Sequence, residues 1–172
     1  MDITERFSLW LLPDDTISQT LSELMSKLRE RHGGPEFEPH ITLFGRITGA
    51  EQELSNSVAK LAEKTPQFNI RTEGLWGESY YFKRFYIRLL NSAELLRIGQ
   101  ITSETLGVRM STDYHPHLSL LYGSQIRKHR AQLVSELSDI IPEEIALNRL
   151  QLVKLDVSVA NWRVVNTCLM KK

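Results

Sequence analysis

The stretch PHITLFG at residues 39–45 returns 77 positions further along the chain as PHLSLLYG at residues 116–123. Each copy reads proline, histidine, apolar residue, hydroxyl residue, apolar residue, and the second copy has one more residue before its glycine. Because side chains alternate between the two faces of a strand, His40 and Thr42 share one face, and His117 and Ser119 do the same. Two imidazoles and two hydroxyls in one cleft can hold a phosphate and move protons on both sides of it. The repeat therefore predicts a catalytic site.

Composition limits the partners of the chain. Its 172 residues suit one domain, or two small halves that share a core, and 41% apolar with 24% charged residues is typical of a globular protein. Lys plus Arg is 21 and Asp plus Glu is 21, so the formal net charge is zero. This balance argues against sequence-independent binding along a nucleic acid, which needs many cation–phosphate contacts. A phosphate-bearing small molecule or one RNA terminus stays possible.

The single cysteine, Cys168, excludes an intrachain disulfide and fits a reducing compartment. The apolar run at residues 7–13 is too short and too early for a signal peptide, and no stretch approaches the ~20 apolar residues of a membrane helix. We therefore expect a cytoplasmic monomer with no membrane partner.

Apolar periodicity and turn residues predict the secondary structure. Asp14 or Asp15 is expected to cap the first helix, and Gly107 to end the third. Strands are predicted at residues 7–12, 40–44, 68–76, 85–90, 117–122, 150–157 and 164–170, and helices at about 14–33, 50–64, 92–106 and 125–137.

The element order is β-α-β-α-β followed by β-α-β-α-β-β, with each motif on the strand after the first helix of its half. This order predicts an α+β fold: a bilobal, duplicated β-α-β unit with two antiparallel sheets facing across a central cleft and the helices outside. No linker or low-complexity segment separates the halves. We expect a single domain, residues 1–172, with pseudo-symmetric halves of about 1–78 and 79–172.

The two motifs, each after a β-α unit and each followed by apolar residues and glycine, resemble those of the two-histidine phosphoesterase superfamily. Within it, FSLWLLP at residues 7–13, EPHITL at 38–43 and HLSLLYG at 117–123 are most similar to the cyclic nucleotide phosphodiesterases. The resemblance runs from Phe7 to the last strand with Cys168. Those enzymes act on ADP-ribose 1″,2″-cyclic phosphate and on nucleoside 2′,3′-cyclic phosphates, which RNA and tRNA processing, including tRNA splicing, leaves behind.

The resemblance implies roles for individual residues. His40 and His117 would be the acid and base, Thr42 and Ser119 would hold the phosphate oxygens, and Tyr122 would lie near the substrate. Strand parity points Tyr122 away from the face of His117 and Ser119, so Tyr122 joins the site only if the strand ends or bulges near residues 121–123.

The connection at residues 77–84 is aromatic and cationic. Its Tyr80, Tyr81 and Phe82 form either a base-stacking lid or the aromatic start of a hairpin, and Tyr81 is our candidate for a substrate contact. Trp10 and Trp76 are expected in the core or the cleft wall, and Trp162 partly exposed. The basic run at residues 127–130 is either a solvated helix face or a nucleotide contact, and the first is favoured.

The chemistry needs no metal or other cofactor, because either histidine can serve as acid or base at neutral pH and the hydroxyls can stabilise the phosphoryl oxygens. A zinc site would want three or four ligands, whereas His115 and His117 are two, and His32, His129 and Cys168 lie in plain helix or strand contexts. A lone strand histidine would be read as a structural, hydrogen-bonded residue; the paired motif favours catalysis.

We therefore predict metal-independent hydrolysis of small cyclic phosphodiesters by a histidine pair. One alternative is an RNA-end processing or ligating enzyme of the same superfamily, and another is a non-catalytic nucleotide-binding protein. The sequence leaves open the preferred cyclic phosphate, the regiochemistry of ring opening, and which histidine is the base.

Overall fold

The computed structural model describes residues 5–123, 126 and 128–172. Within these residues the strands are β1 (Phe7–Pro13), β2 (Ile41–Ile47), β3 (Phe68–Trp76), β4 (Phe85–Leu89), β5 (His117–Leu121), β6 (Glu144–Lys154) and β7 (Arg163–Leu169). The α-helices are α1 (Asp15–His32), α2 (Glu51–Lys64), α3 (Ala93–Leu106) and α4 (Arg130–Leu137), and short 3-10 turns cover Tyr81–Lys83 and Val159–Asn161. The expected α+β class is confirmed.

The strands form one antiparallel sheet in the order β1-β2-β5-β4-β3-β6-β7, and β1 also pairs with β6. Strand β3 pairs with residues 144–147 of β6, while β7 pairs with residues 149–154 of the same strand. The β1–β6 pairing closes six of the strands into a barrel-like ring, where the sequence predicted two separate facing sheets. Closure pairs the backbone groups that an open sheet would leave free at its edges. Alternation identifies the face of a strand but not its partners, so the sequence did not reveal this closure.

The pairings of the ring follow the internal repeat. Exchanging β1 with β4, β2 with β5, and β3 with β6 turns the β1–β2 pairing into β4–β5 and the β1–β6 pairing into β3–β4. The β2–β5 and β3–β6 pairings are exchanged with themselves. The two motif strands, β2 and β5, are therefore equivalent in the repeat, and they pair with each other at its pseudo-two-fold axis.

Local signals position the helices as the sequence indicates. The Asp14 carboxylate accepts the backbone N–H of Ile17 at 2.8 Å and so caps α1. Gly107 ends α3 in the left-handed conformation with φ 65°, which costs glycine little. No helix among the described residues is long and apolar enough to cross a membrane.

Several boundaries differ from the predictions. Strand β6 begins at Glu144, before the predicted start at residue 150, because pairing with β3 extends it. Helix α4 begins at Arg130; the predicted start at Gln125 lies outside the described residues. β2 begins at Ile41, one residue after His40.

One backbone pair joins the two motif strands. Ile41 of β2 lies opposite Leu118 of β5, and both side chains are completely buried in the main apolar core. Fully burying such side chains stabilises the fold by about 1.5–3 kcal/mol each. This pair therefore fixes the register in which the motifs face each other.

Leu118→Ala should lower the free energy of unfolding by about 2–5 kcal/mol, because the removed side chain leaves a cavity in the core. Leu169→Ala is the matched control; Leu169 is 60% exposed, and its loss should change stability by less than about 0.5 kcal/mol. Urea unfolding of both variants measures the difference. Equal stabilities would contradict the packing described for this pair.

Candidate active site

The β2–β5 register brings the two motifs onto one face of the sheet. Since Ile41 lies opposite Leu118, the antiparallel pairing sets His40 opposite Ser119 and Thr42 opposite His117. Ile41 and Leu118 point into the core, so their neighbours along each strand point to the other face. There the four motif residues line one cleft of about 260 Å³: His40, Thr42, His117 and Ser119. Each histidine thus faces the hydroxyl of the other copy.

Both imidazoles are held in the same way by their own motif. Nδ1 of His40 is 2.6 Å from the backbone oxygen of Glu38, and Nδ1 of His117 is 3.0 Å from that of His115. A carbonyl only accepts, so Nδ1 carries the proton and Nε2 stays available for chemistry. The proline between each pair favours extended backbone in the residue before it, which helps to explain why proline precedes each histidine.

His40 is the more enclosed of the two histidines. Its side chain stacks on Trp10, with ring centroids 3.6 Å apart and planes inclined by 9°, and only 4% of the residue is exposed. Burial lowers the pKa of His40 to about 4, against the opposing effect of the Glu38 carbonyl and with a smaller contribution from His117. His40 is therefore neutral at neutral pH, and its Nε2 carries a lone pair that can accept a proton.

His117 has charged neighbours that His40 lacks. Burial lowers its pKa; the His115 carbonyl and the Glu78 carboxylate act in the opposite direction, and Lys83 and His115 add to the lowering. Its ring lies 5.2 Å from that of Tyr86, whose hydroxyl donates to Glu78 at 2.7 Å. The two copies of the motif thus hold their histidines in different electrostatic environments.

The two hydroxyls are also unequal. Ser119 donates its hydroxyl proton to the backbone oxygen of Phe82 at 2.9 Å. The Thr42 hydroxyl has no hydrogen-bond partner within the described part of the chain. Thr42 is therefore ready to donate to a bound oxygen, whereas Ser119 must first release Phe82.

Tyr122 does enter the cleft. Strand β5 ends at Leu121, so the parity of the strand no longer directs the next side chain. The Tyr122 hydroxyl lies 3.4 Å from Nε2 of His40, a long contact, and its ring stacks on Phe37 at 3.7 Å. Burial raises the pKa of Tyr122, so its hydroxyl stays protonated.

Tyr81 lies outside the cleft lining, whereas its neighbours Tyr80 and Phe82 belong to it. The Tyr81 ring instead packs on Gly123, where an added Cβ would come within 2.7 Å of the ring. Gly123 also has φ 63°, so both space and backbone conformation require glycine there. Tyr80, Tyr81 and Phe82 lie on or beside a 3-10 turn. So short a turn has no sequence periodicity that could show which of these side chains faces the cleft.

The cleft also contains residues from outside the two motifs. Trp10, which was expected in the core or the cleft wall, does line the cleft, and it shares the face of β1 with Ser8, which lines it too. Trp162 is half-buried and closes the cleft from the turn before β7, and Lys83 follows the aromatic turn. Arg46 is in the left-handed conformation with φ 58°, at a register shift between β1 and β2. A bulge of this kind leaves no clear sequence signal.

Other candidates lie elsewhere or lack a ligand set. Lys128 and His129 are exposed and do not line the cleft, and Arg127 lies outside the described residues. Within residues 5–123, 126 and 128–172, no group of three or more His, Cys, Asp or Glu side chains is arranged to hold a metal ion.

Two His-x-Thr/Ser strands that meet on one face of a closed antiparallel sheet define a two-histidine phosphoesterase. The chain matches, over residues 6–170, the family described as cyclic phosphodiesterase-like protein, and it belongs to that family. It is 25% identical over 169 residues to the cyclic phosphodiesterase of Arabidopsis thaliana, covering 94% of this chain and 93% of that protein. The predicted superfamily and the predicted enzyme class, a cyclic phosphodiesterase, are confirmed at the level of the family.

Solved structures show the same fold. E. coli LigT complexed with 3′-AMP is similar with a TM-score of 0.60 and 15% identity, over 98% of this chain and 99% of LigT. The TT0787 protein of Thermus thermophilus is similar with a TM-score of 0.56 and 14% identity, over 94% of this chain and 96% of that protein. At such identities the likeness concerns the fold.

The buried His40 should make the protein less stable in acid. With a pKa of about 4 in the folded chain and ~6.5 when unfolded, His40 binds a proton on unfolding at any pH between these values. Its contribution is therefore present above pH ~6.5 and is lost as the pH falls, by about 2–3 kcal/mol between pH 7 and pH 4.5. His40→Gln should lose correspondingly less stability over this range than the unsubstituted protein. Urea unfolding at both pH values measures this, and identical losses would contradict the environment described for His40.

Proposed function

We propose that the protein hydrolyses small cyclic phosphodiesters, among them ADP-ribose 1″,2″-cyclic phosphate and nucleoside 2′,3′-cyclic phosphates, without a metal ion. The observation that carries this proposal is the antiparallel β2–β5 register, which sets two imidazoles diagonally across one cleft with their Nδ1 atoms hydrogen-bonded to backbone oxygens. Diagonal positions in a strand pair are about 7–8 Å apart. A phosphorus atom between them would have one Nε2 on each side.

The proposed reaction is a single in-line displacement. The neutral histidine takes a proton from a water molecule through Nε2, and the water oxygen bonds to phosphorus. The bond from phosphorus to one ring oxygen breaks, and the protonated histidine gives its Nε2 proton to that oxygen. The product is an open phosphomonoester, and the two histidines have exchanged protonation states.

We assign the base to His40 and the acid to His117. His40 stacks on an indole and is neutral at neutral pH, which suits a proton acceptor. Burial lowers the pKa of His117 on balance, but the Glu78 carboxylate opposes this lowering and favours the protonated form, and no carboxylate among the described residues acts in this way on His40. A bound phosphate anion would favour that form further.

Neighbouring groups would stabilise the charge on the phosphoryl oxygens. Thr42 has an uncommitted hydroxyl, and Lys83 and Arg46 line the cleft without an ion-pair partner among the residues described. Ser119, hydrogen-bonded to Phe82, would contribute after its hydroxyl turns toward the phosphate. Oriented donors of this kind are worth most in an enclosed site.

The cleft favours a small substrate. Its volume of about 260 Å³ is below the usual ~300–1,000 Å³ of ligand pockets, which fits a cyclic phosphate and its ribose more readily than an oligonucleotide. The zero net charge gives no basic track for an RNA backbone.

We place this activity in a cytoplasmic monomer that removes by-products of RNA processing such as tRNA splicing. The unit of activity is a single domain, residues 1–172, with halves of about 1–78 and 79–172.

His40→Ala and His117→Ala should each lower kcat by at least ~100-fold on nucleoside 2′,3′-cyclic phosphates, because each removes one proton transfer. The assay separates the 2′- and 3′-phosphomonoester products by chromatography. His32→Ala and His129→Ala are matched controls from outside the cleft and should retain turnover.

The same assay tests metal-independence. Activity of the unsubstituted protein should survive prolonged treatment with EDTA, since the described residues that line the cleft include two histidines but no carboxylate or thiolate. Loss of activity that zinc or manganese restores would contradict the mechanism, as would either histidine variant with near-full turnover.

A further inference from the structure

A second and larger cavity adjoins the reaction cleft. We call it the distal groove; its volume is about 610 Å³, and its lining includes Trp76, Glu78, Lys83, Tyr86 and Arg88. Lys83 and His117 line both the distal groove and the reaction cleft. The two cavities therefore meet beside one of the catalytic histidines.

Strand register shows that both cavities lie on one continuous face of the sheet. Tyr86 pairs with Ser119, and Trp76 pairs in turn with Tyr86. Directly paired residues of antiparallel strands share a face. This row therefore runs from the reaction cleft on β5 to Trp76 on β3.

A second row of paired residues runs beside the first, and its members Arg88 and His117 line the distal groove. Arg88 pairs with His117, and Gly74 pairs with Arg88. A Cβ added at Gly74 would meet nothing within 4 Å, so the end of this row is open. With strands about 4.8 Å apart, the row from Thr42 on β2 to Gly74 on β3 spans roughly 14 Å.

Trp76 has the properties of a stacking platform. It is 53% exposed, although a buried position would be expected for so large an apolar side chain. The Arg88 guanidinium lies 5.4 Å from the centre of its ring, in a cation–π contact. A planar cation beside an exposed indole can stack on a flat aromatic ligand and pair with anionic oxygens.

One cation that is unpaired within the described residues, Lys83, is the group that can attract an anionic linker at the junction of the distal groove with the cleft. Three of the groove's carboxylates already have partners: Glu73 is 3.9 Å from Arg88, Glu78 accepts from Tyr86, and Asp113 is 2.8 Å from His115. Lys83, at the junction, has no ion pair in the described part of the chain. Its ammonium group is therefore available to a phosphate group.

We propose that the distal groove is a second substrate subsite, which binds a planar aromatic group joined through an anionic linker to the cyclic phosphate in the reaction cleft. This inference rests on the proposed function, because it assumes that a cyclic phosphate occupies the cleft. The subsite distinguishes two kinds of substrate. A cyclic phosphate with such an extension binds in both cavities, whereas a simple nucleoside cyclic phosphate binds in the reaction cleft alone.

Trp76→Ala tests the subsite, and cytidine 2′,3′-cyclic phosphate and ADP-ribose 1″,2″-cyclic phosphate are the two probes. For the ADP-ribose compound KM should rise about tenfold, the usual scale for loss of one aromatic stacking contact. For the cytidine compound kcat and KM should stay unchanged. Trp76→Phe keeps a planar ring and should retain most of the affinity for the ADP-ribose compound. Leu169 is an exposed apolar residue of β7, and Leu169→Ala should leave kcat and KM unchanged for both probes.

The proposal is overturned if Trp76→Ala affects both substrates equally or leaves the ADP-ribose compound unaffected. Calorimetric binding of ADP-ribose 1″,2″-cyclic phosphate to the His40→Ala protein, with and without Trp76→Ala, separates the subsite from the chemistry. If the unsubstituted protein hydrolyses neither probe, the proposed function fails, while an affinity about tenfold weaker with Trp76→Ala still supports the subsite. Equal affinities overturn it.

Discussion

The pairing of Ile41 with Leu118 in the core is the constraint on which the site depends. Both side chains are fully buried, so β2 and β5 are held together by apolar packing at the one position where their backbones pair. The four motif residues that flank this pair, two on β2 and two on β5, therefore all point to the opposite face of the sheet. A slip of one residue in this register would turn a motif histidine into the core, which would bury an imidazole without partners. The stability of the core and the geometry of the cleft thus rest on the same contact.

The internal repeat yields a symmetric framework with unequal halves. Both histidines are fixed through Nδ1 by the carbonyl two residues earlier, as an identical Pro-His pair dictates. Their surroundings differ because the residues around the motifs are not the same in the two halves: Trp10 stacks on His40, whereas Glu78 and Lys83 lie near His117. Hydrolysis needs one acid and one base at the same time, so a symmetric pair must be made unequal by its neighbours.

Periodicity and motif spacing predicted much of this structure because the signals are local. The caps at Asp14 and Gly107, the strands of the ring and the shared faces of the motifs depend on residues close in sequence. The closure of the sheet through β1 and β6 did not follow, since alternation says nothing about which strands pair. Tyr122 was placed conditionally on the end of β5, and the structure meets that condition. The sequence could not show which of Tyr80, Tyr81 and Phe82 faces the cleft, because one 3-10 turn sets the directions of all three side chains.

The measurement that tests the central claim most directly is a double-mutant cycle on kcat with His40→Ala, His117→Ala and both together. Two groups that act on one phosphorus in a single step form a unit, and loss of either should abolish most of what the pair contributes. We expect the double variant to be within about tenfold of the less active single variant. If the two losses multiply in full, the histidines act independently, and the account of a paired acid and base across one phosphate is wrong.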